Sequence, residues 1–97
     1  SLNNFYQEKR DLFTSLIKDS RFEILPSSGT YFQLLSFKGI SDKSDTDFAI
    51  ELTEKHKLAS IPVSVFYHQK VDEKILRFCV AKKEDTLQRA AAIINQI

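Results

Sequence analysis

Apolar residues recur every three or four positions at both ends of this chain, which is the spacing of an amphipathic helix. The first such stretch covers residues 4–18 and the last covers residues 84–95. A third helix is predicted to run to about residue 57, because the run SDTD at 44–47 offers a capping serine and places acids in the first turn. The pattern therefore predicts helices at the start, the middle and the end of the chain.

Four segments between these helices have the composition of strands. Residues 22–25 form a short one, and residues 30–37 form a longer one that is apolar on both faces and suits a central position. Residues 58–66 are extended but contain Pro62, which cannot donate to a ladder, so this segment is either an edge strand or two short strands with a break. Residues 75–81 form the fourth.

The predicted order of elements is α-β-β-α-β-β-α. This order is typical of a two-layer α+β domain with a small mixed, mostly antiparallel sheet and helices on one face. The chain has 97 residues with no repeat and no linker, so we expect a single domain over residues 1–97.

Composition and charge narrow the range of functions. The chain has 14 basic and 13 acidic residues, and this balance favours neither nucleic acid nor an anionic membrane as a partner. A single cysteine rules out an internal disulfide, so a reducing compartment is expected, and the cytoplasm is the predicted location. Two histidines without ligand spacing predict no metal site.

Arg77 is the residue with the clearest chemical potential, because it interrupts an otherwise apolar strand. Charged side chains are rarely buried unless they are paired, so Arg77 needs an anion from the protein or from a ligand. Its planar fork of donors matches a carboxylate in two places, which makes it a candidate anchor for a small acid. The alternative is an edge-strand arginine that pairs with a nearby acid or extends to water.

The ordered set of motifs resembles a known family. The motifs are YQEKRD at 6–11, PSSGTYF at 26–32, SDTDFA at 44–49, ASIPVSVFY at 59–67, and LRFCVAK at 76–82 followed by EDTL at 84–87. Together they resemble the C-terminal small domain of fold-type I, pyridoxal-phosphate-dependent aminotransferases, and in wording they are nearest to those acting on methionine, aromatic amino acids and kynurenine. The resemblance extends over nearly all 97 residues in order and without a gap.

The resemblance implies roles for individual residues. It implies that Arg77 holds the α-carboxylate of the substrate and that Tyr31 faces the substrate pocket. It also implies that Ser64, Phe66 and Tyr67 line the rim of that pocket. For Tyr31 the alternative reading is a residue of the core or of an interface.

The resemblance also implies that much of the enzyme lies elsewhere. A pyridoxal-phosphate enzyme needs a lysine for the Schiff base, an acid for the pyridine nitrogen and groups for the phosphate. In the family these belong to a large domain that precedes the small one. The candidates here, Lys38 and Lys43, lie in a polar loop and read as surface residues. We therefore expect a fragment that neither binds the cofactor nor transfers amino groups alone.

The full-length protein is then expected to be a homodimeric aminotransferase acting on amino acids and 2-oxo acids. Two other classes stay open on the sequence. One is a free-standing module that binds an amino acid through Arg77, although the apolar residues Leu2, Phe5 and Tyr6 at the N-terminus argue against it. The other is a nucleic-acid-binding domain, which the neutral charge balance disfavours.

Overall fold

A computed structural model of the chain describes residues 2–26, 31–66 and 72–97, apart from the side chains of residues 2, 3 and 66. The helices and strands occur in the predicted order. The helices are α1 (Leu2–Ile17), α2 (Asp45–His56) and α3 (Glu84–Gln96), and the strands are β1 (Glu23–Ile24), β2 (Phe32–Ser36), β3 (Ile61–Pro62) and β4 (Ile75–Cys79). A 3₁₀ turn (Val63–Phe66) follows β3 directly.

The four strands form one sheet in the order β1-β2-β4-β3 within the described residues. All three described pairings are antiparallel, so the prediction of a mostly antiparallel sheet is confirmed and no parallel pair occurs in this part of the chain. As predicted, β2 is central. Strand β3 lies at an edge, as expected for a strand containing Pro62.

The core lies between one face of the sheet and all three helices. The sheet contributes side chains such as Leu35 and Leu76, which are fully buried. Each helix sends side chains into the same cluster. They are Phe13 and Ile17 of α1, Phe48, Ala49 and Leu52 of α2, and Leu87, Ala91 and Ile94 of α3. The helices therefore cover one face, as the order of elements predicts.

The start of α2 follows the sequence pattern closely. The hydroxyl of Ser44 accepts a hydrogen bond from the backbone N–H of Asp47 at 3.1 Å, which is the expected cap. The helix ends at Lys57, which adopts a left-handed conformation with φ 56° and donates its N–H to the carbonyl of Leu52. The predicted bounds of this helix are therefore confirmed at both ends.

The segment 58–66 is where the prediction was wrong. In this segment only Ile61–Pro62 is a strand. Residues 58–60 have no regular secondary structure, and the valine-containing residues after the strand form the 3₁₀ turn. The cause is a contact from far along the chain, because the backbone N–H of Ser64 donates to the carboxylate of Asp45 at 2.9 Å instead of to a neighbouring strand. The other strands are shorter than predicted by two or three residues, although the N–H of Val80 still donates to the carbonyl of Tyr31 beyond the end of β4. No described helix has the length and apolar character needed to cross a membrane.

Candidate functional site

The two faces of β2 and β4 carry different side chains. Because side chains alternate along a strand, the register that pairs Leu35 with Leu76 on the core face pairs Leu34 with Arg77 on the other face. We call this second face the outer face. Its residues are Phe32, Leu34 and Ser36 of β2, Ile61 of β3, and Ile75, Arg77 and Cys79 of β4. All except Ser36 are half-buried or exposed, so the outer face is largely apolar and only partly covered.

Arg77 lies at the centre of the outer face. It is flanked by Leu34 on β2 and by Ile61 on β3, its directly opposite neighbours in the two ladders. Its guanidinium carbon is 3.7 Å from the centroid of the Phe32 ring, the diagonal neighbour on β2. Stacking on an aromatic ring fixes the plane of a guanidinium, so the sheet sets the direction in which its fork of donors points. Arg77 is half-buried, in contrast to the full burial that its apolar strand suggested.

A cavity of about 550 Å³ opens beside Arg77, between β4, α3 and the segment that leads into β3. Its cationic lining residues are Lys57, Arg77, Lys82 and Arg89, and its described lining contains no aspartate or glutamate. The remaining lining is mainly apolar. Cations grouped around a low-dielectric surface raise the positive potential, which favours an anion at this edge of the sheet.

Tyr31 lies immediately before β2 and is 44% exposed. Its ring packs edge-on against Tyr6 with centroids 4.7 Å apart, and Tyr6 packs in the same manner against Phe5 at 5.3 Å. We call these three residues the aromatic cluster. Phe5 is 50% exposed, so the first turns of α1 show an apolar surface to their surroundings as the sequence predicts.

The two candidates after β3 have different outcomes. Ser64 is buried, and its hydroxyl donates to the carboxylate of Asp45 at 2.8 Å. Its side chain is thus engaged within the protein. Tyr67 lies outside the described residues, as does the side chain of Phe66. The structure therefore brings Arg77 and Phe32 together on the outer face, with Tyr31 next to Phe32 along the chain.

The residues present do not fit the pyridoxal cofactor that the resemblance implies. Such a site needs a lysine amine, an acid and a set of phosphate donors close together. Lys57 and Lys82 are the lysines that border the cavity beside Arg77, and no carboxylate accompanies them in the described lining. Lys43 pairs with Glu51 on α2, where its ammonium holds the pKa of that carboxyl below its ordinary value. Nor do the described residues contain a cluster of histidine, cysteine and acidic groups that could hold a metal ion.

Sequence reasoning missed two residues that shape this site. The sequence pattern presents Phe32 as one more apolar residue of a central strand, because its contact with Arg77 depends on the register between β2 and β4. It presents Asp45 as a helix-start acid, whereas the structure shows that Asp45 is 2% exposed and holds the 3₁₀ turn. No local signal distinguishes Asp45, because an acid in the first turn of a helix is ordinarily a solvated residue that the helix dipole stabilises.

Comparison with known proteins shows that the chain is similar to one part of several aminotransferases. Residues 2–94 match the family model described as aminotransferase class I and II. The chain is 42% identical over all its 97 residues to methionine aminotransferase of Escherichia coli, and 31% identical to kynurenine–oxoglutarate transaminase 3 of Bos taurus over 98% of its length. It spans about a quarter of the length of each of these relatives, 25% and 24% respectively.

Solved structures agree in fold. The crystal structure of YbdL from Escherichia coli, identified as a methionine aminotransferase, superposes with a TM-score of 0.92 at 42% identity over 97% of this chain and 25% of that one. N-succinyldiaminopimelate aminotransferase of Mycobacterium tuberculosis superposes with a TM-score of 0.84 at 28% identity, over 96% of this chain and 24% of that one. The match covers nearly every residue described above, and the chain belongs to the class I and II aminotransferases.

Proposed function

We propose that these 97 residues are the small C-terminal domain of a pyridoxal-phosphate-dependent aminotransferase. The full-length protein would transfer the amino group of a methionine-type or aromatic amino acid to a 2-oxo acid. The proposal is supported by the 42% identity to a methionine aminotransferase and by the quarter of that relative that the chain spans. The cofactor supplies the chemistry of amino transfer, and we assign its binding groups to the part of the protein outside these residues.

We propose that Arg77 binds the α-carboxylate of the substrate. The observation that carries this proposal is the position of Arg77 at the centre of a half-covered apolar face, next to a cavity whose charged lining residues are all cations among the described residues. A guanidinium stacked on Phe32 at 3.7 Å can present two parallel N–H donors to a carboxylate. The apolar neighbours Leu34 and Ile61 lower the local dielectric and strengthen the pair.

Arg77 would act by orientation rather than by moving a proton. Two parallel hydrogen bonds fix both the position and the plane of the carboxylate, so the adjacent Cα is held at one angle to the reacting groups of the other domain. An ammonium could supply the charge but not the fixed plane. We therefore expect a change at Arg77 to affect the rate of the chemical step as well as substrate binding.

The other substrate-site candidates have supporting roles in this proposal. We assign Tyr31 to the wall of the pocket, supported by its exposure next to Phe32. Tyr67 remains a proposed rim residue on the resemblance alone. The Ser64 hydroxyl donates its hydrogen bond to Asp45. We therefore propose that Ser64 affects the site indirectly, by fixing the backbone of the 3₁₀ turn.

We propose that the outer face and the aromatic cluster meet the large domain of the same chain. Both are apolar, and contiguous apolar surface of several hundred Å² marks an interaction site. In this arrangement the substrate carboxylate would lie between Arg77 and the large domain, and the enzyme would be a homodimer. The 97 residues alone would lack transaminase activity.

The direct test is Arg77→Lys in the full-length protein loaded with its cofactor. We expect the KM for the amino acid to rise and kcat to fall, with a combined loss in kcat/KM of about a hundredfold, the scale set by a misplaced reacting group. Arg21→Lys is the matched control, because Arg21 is an exposed arginine on the helix side that donates to the carbonyl of Ile97. An unchanged kcat/KM in Arg77→Lys would remove Arg77 from the site.

A further inference from the structure

Asp45, the first residue of α2, is a buried acid that accepts two hydrogen bonds from Ser64. It is 2% exposed, and its two carboxylate oxygens accept the backbone N–H of Ser64 at 2.9 Å and the hydroxyl of Ser64 at 2.8 Å. A buried carboxylate is costly unless hydrogen bonds and a favourable field compensate it. These two bonds and the positive end of the α2 dipole supply that compensation. The pair joins α2 to the 3₁₀ turn.

The 3₁₀ turn follows directly from β3, whose own attachment to the sheet is slight. Strand β3 has two residues, lies at the edge of the sheet, and includes Pro62, which has no N–H to donate. Yet Ile61 of this strand is the direct neighbour of Arg77 across the β3–β4 ladder. The position of Ile61 beside Arg77 therefore depends on what holds the residues that follow β3, and the Asp45 carboxylate holds them.

The same end of α2 is also joined to the start of β4. The backbone N–H of Asp45 donates to the Asp72 carboxylate at 3.2 Å, and that carboxylate also accepts the N–H of Lys74 at 2.9 Å. The Lys74 ammonium in turn donates to the carbonyl of Lys43, just before α2, at 2.9 Å. Strand β4, which carries Arg77, and its neighbour β3 are thus both joined to the start of α2.

From this geometry we infer that Asp45 is a positioning residue of the carboxylate site. Through Ser64 it fixes the β3 edge and so the position of Ile61, which borders Arg77 on the side away from Phe32. The inference rests on the proposed function of Arg77. It extends that function to Asp45 at the start of α2, which acts through the 3₁₀ turn. Asp45 touches neither substrate nor cofactor in this account.

The test is Asp45→Asn in the full-length, cofactor-loaded protein. One oxygen of the carboxylate becomes an NH₂ group, which cannot accept from Ser64, so one of the two bonds is lost and the turn shifts. We expect the KM for the amino acid to rise about tenfold, the scale of one charge-assisted hydrogen bond, while kcat changes by less than about twofold. Asp47→Asn is the matched control, because it removes the same charge from the same helical turn at an exposed position and should leave both constants unchanged.

A second variant keeps the inference testable if Asp45→Asn does not fold. Ser64→Ala removes only the hydroxyl bond and should raise the KM about threefold. The inference is overturned if Asp45→Asn and Ser64→Ala have the same KM as Asp47→Asn. It is also overturned if the two variants yield less active protein with an unchanged KM, since that is the behaviour of a purely structural residue. A wild-type protein without transaminase activity would instead remove the proposed function, and the inference with it.

Discussion

The two faces of the central strands, β2 and β4, are built from similar residues but differ in what covers them. On the core face Leu35 and Leu76 are fully buried beneath three helices. One residue along each strand, Leu34 and Arg77 lie on the outer face and are only half-buried, and Ile61 beside them is 40% exposed. The described residues cover the core face completely and the outer face only in part.

We propose that this difference separates residues that hold the fold from residues that meet another part of the full-length protein. A sheet that faced water on one side would alternate apolar and polar residues. The outer face does not, because its exposed positions are mainly apolar and its one charge, Arg77, is a cation in the middle of them. Local folding accounts for the core face, whereas the composition of the outer face agrees with the proposed contact to the large domain and the proposed binding of a substrate carboxylate by Arg77.

The largest expected effect comes from neighbours in β2 that point to opposite faces. Leu35→Ala should lower the free energy of unfolding of the 97-residue chain by about 3 kcal/mol, because it leaves a cavity in a close-packed core. Leu34→Ala removes the same atoms from the half-covered face and should cost about 1 kcal/mol. Denaturant titration followed by circular dichroism measures both. Equal losses in the two variants would mean that the faces do not differ as described.

A smaller effect is expected from the aromatic cluster. The isolated 97-residue chain should self-associate as its concentration rises, and Phe5→Ser should raise the dissociation constant about tenfold because a large apolar side chain leaves the contact. Ile50→Ser is the matched control, since Ile50 is equally exposed, at 50%, but lies on α2. Analytical ultracentrifugation measures the dissociation constant of wild type and of both variants. A monomer at every concentration, or an equal response of the two variants, would contradict this part of the comparison.

The smallest effect concerns the ring beneath the guanidinium. In the full-length protein, Phe32→Leu keeps an apolar contact but removes the cation–π attraction to Arg77, which is worth about 0.5–1 kcal/mol at a partly exposed site. The KM for the amino acid should therefore rise about threefold. Steady-state kinetics with wild type alongside measures this change. A KM that stays the same would show that the stack does not contribute to holding the carboxylate.

Much of the fold could be predicted from local sequence because the deciding signals are local. Ser44 and the acids after it specify the start of α2, and Pro62 specifies an edge strand. The 3₁₀ turn could not be predicted in this way. Its valines favour a strand, and the carboxylate that captures Ser64 comes from Asp45, 19 residues earlier in the chain.

The candidate site was predictable only in part for the same reason. Arg77 stands out because a charge within an apolar strand demands an explanation. Its stacking partner Phe32 lies 45 residues earlier in the chain, and only the register between β2 and β4 brings the two side chains together. The role of a residue that acts through contact with a distant segment cannot be recognised from the sequence around it.

The central claim is that Arg77 binds the substrate carboxylate. The measurement that tests it most directly is a double-mutant cycle that combines Arg77→Lys with a substrate lacking the carboxylate. The full-length, cofactor-loaded protein and its variant would each be assayed with the amino acid and with the corresponding α-carboxamide. If Arg77 binds the carboxylate, the loss in kcat/KM should be about a hundredfold with the acid and should nearly vanish with the amide, because the amide lacks the charge that Arg77 recognises. An equal loss with both substrates would contradict the account, since it would show that Arg77 acts on something other than the carboxylate.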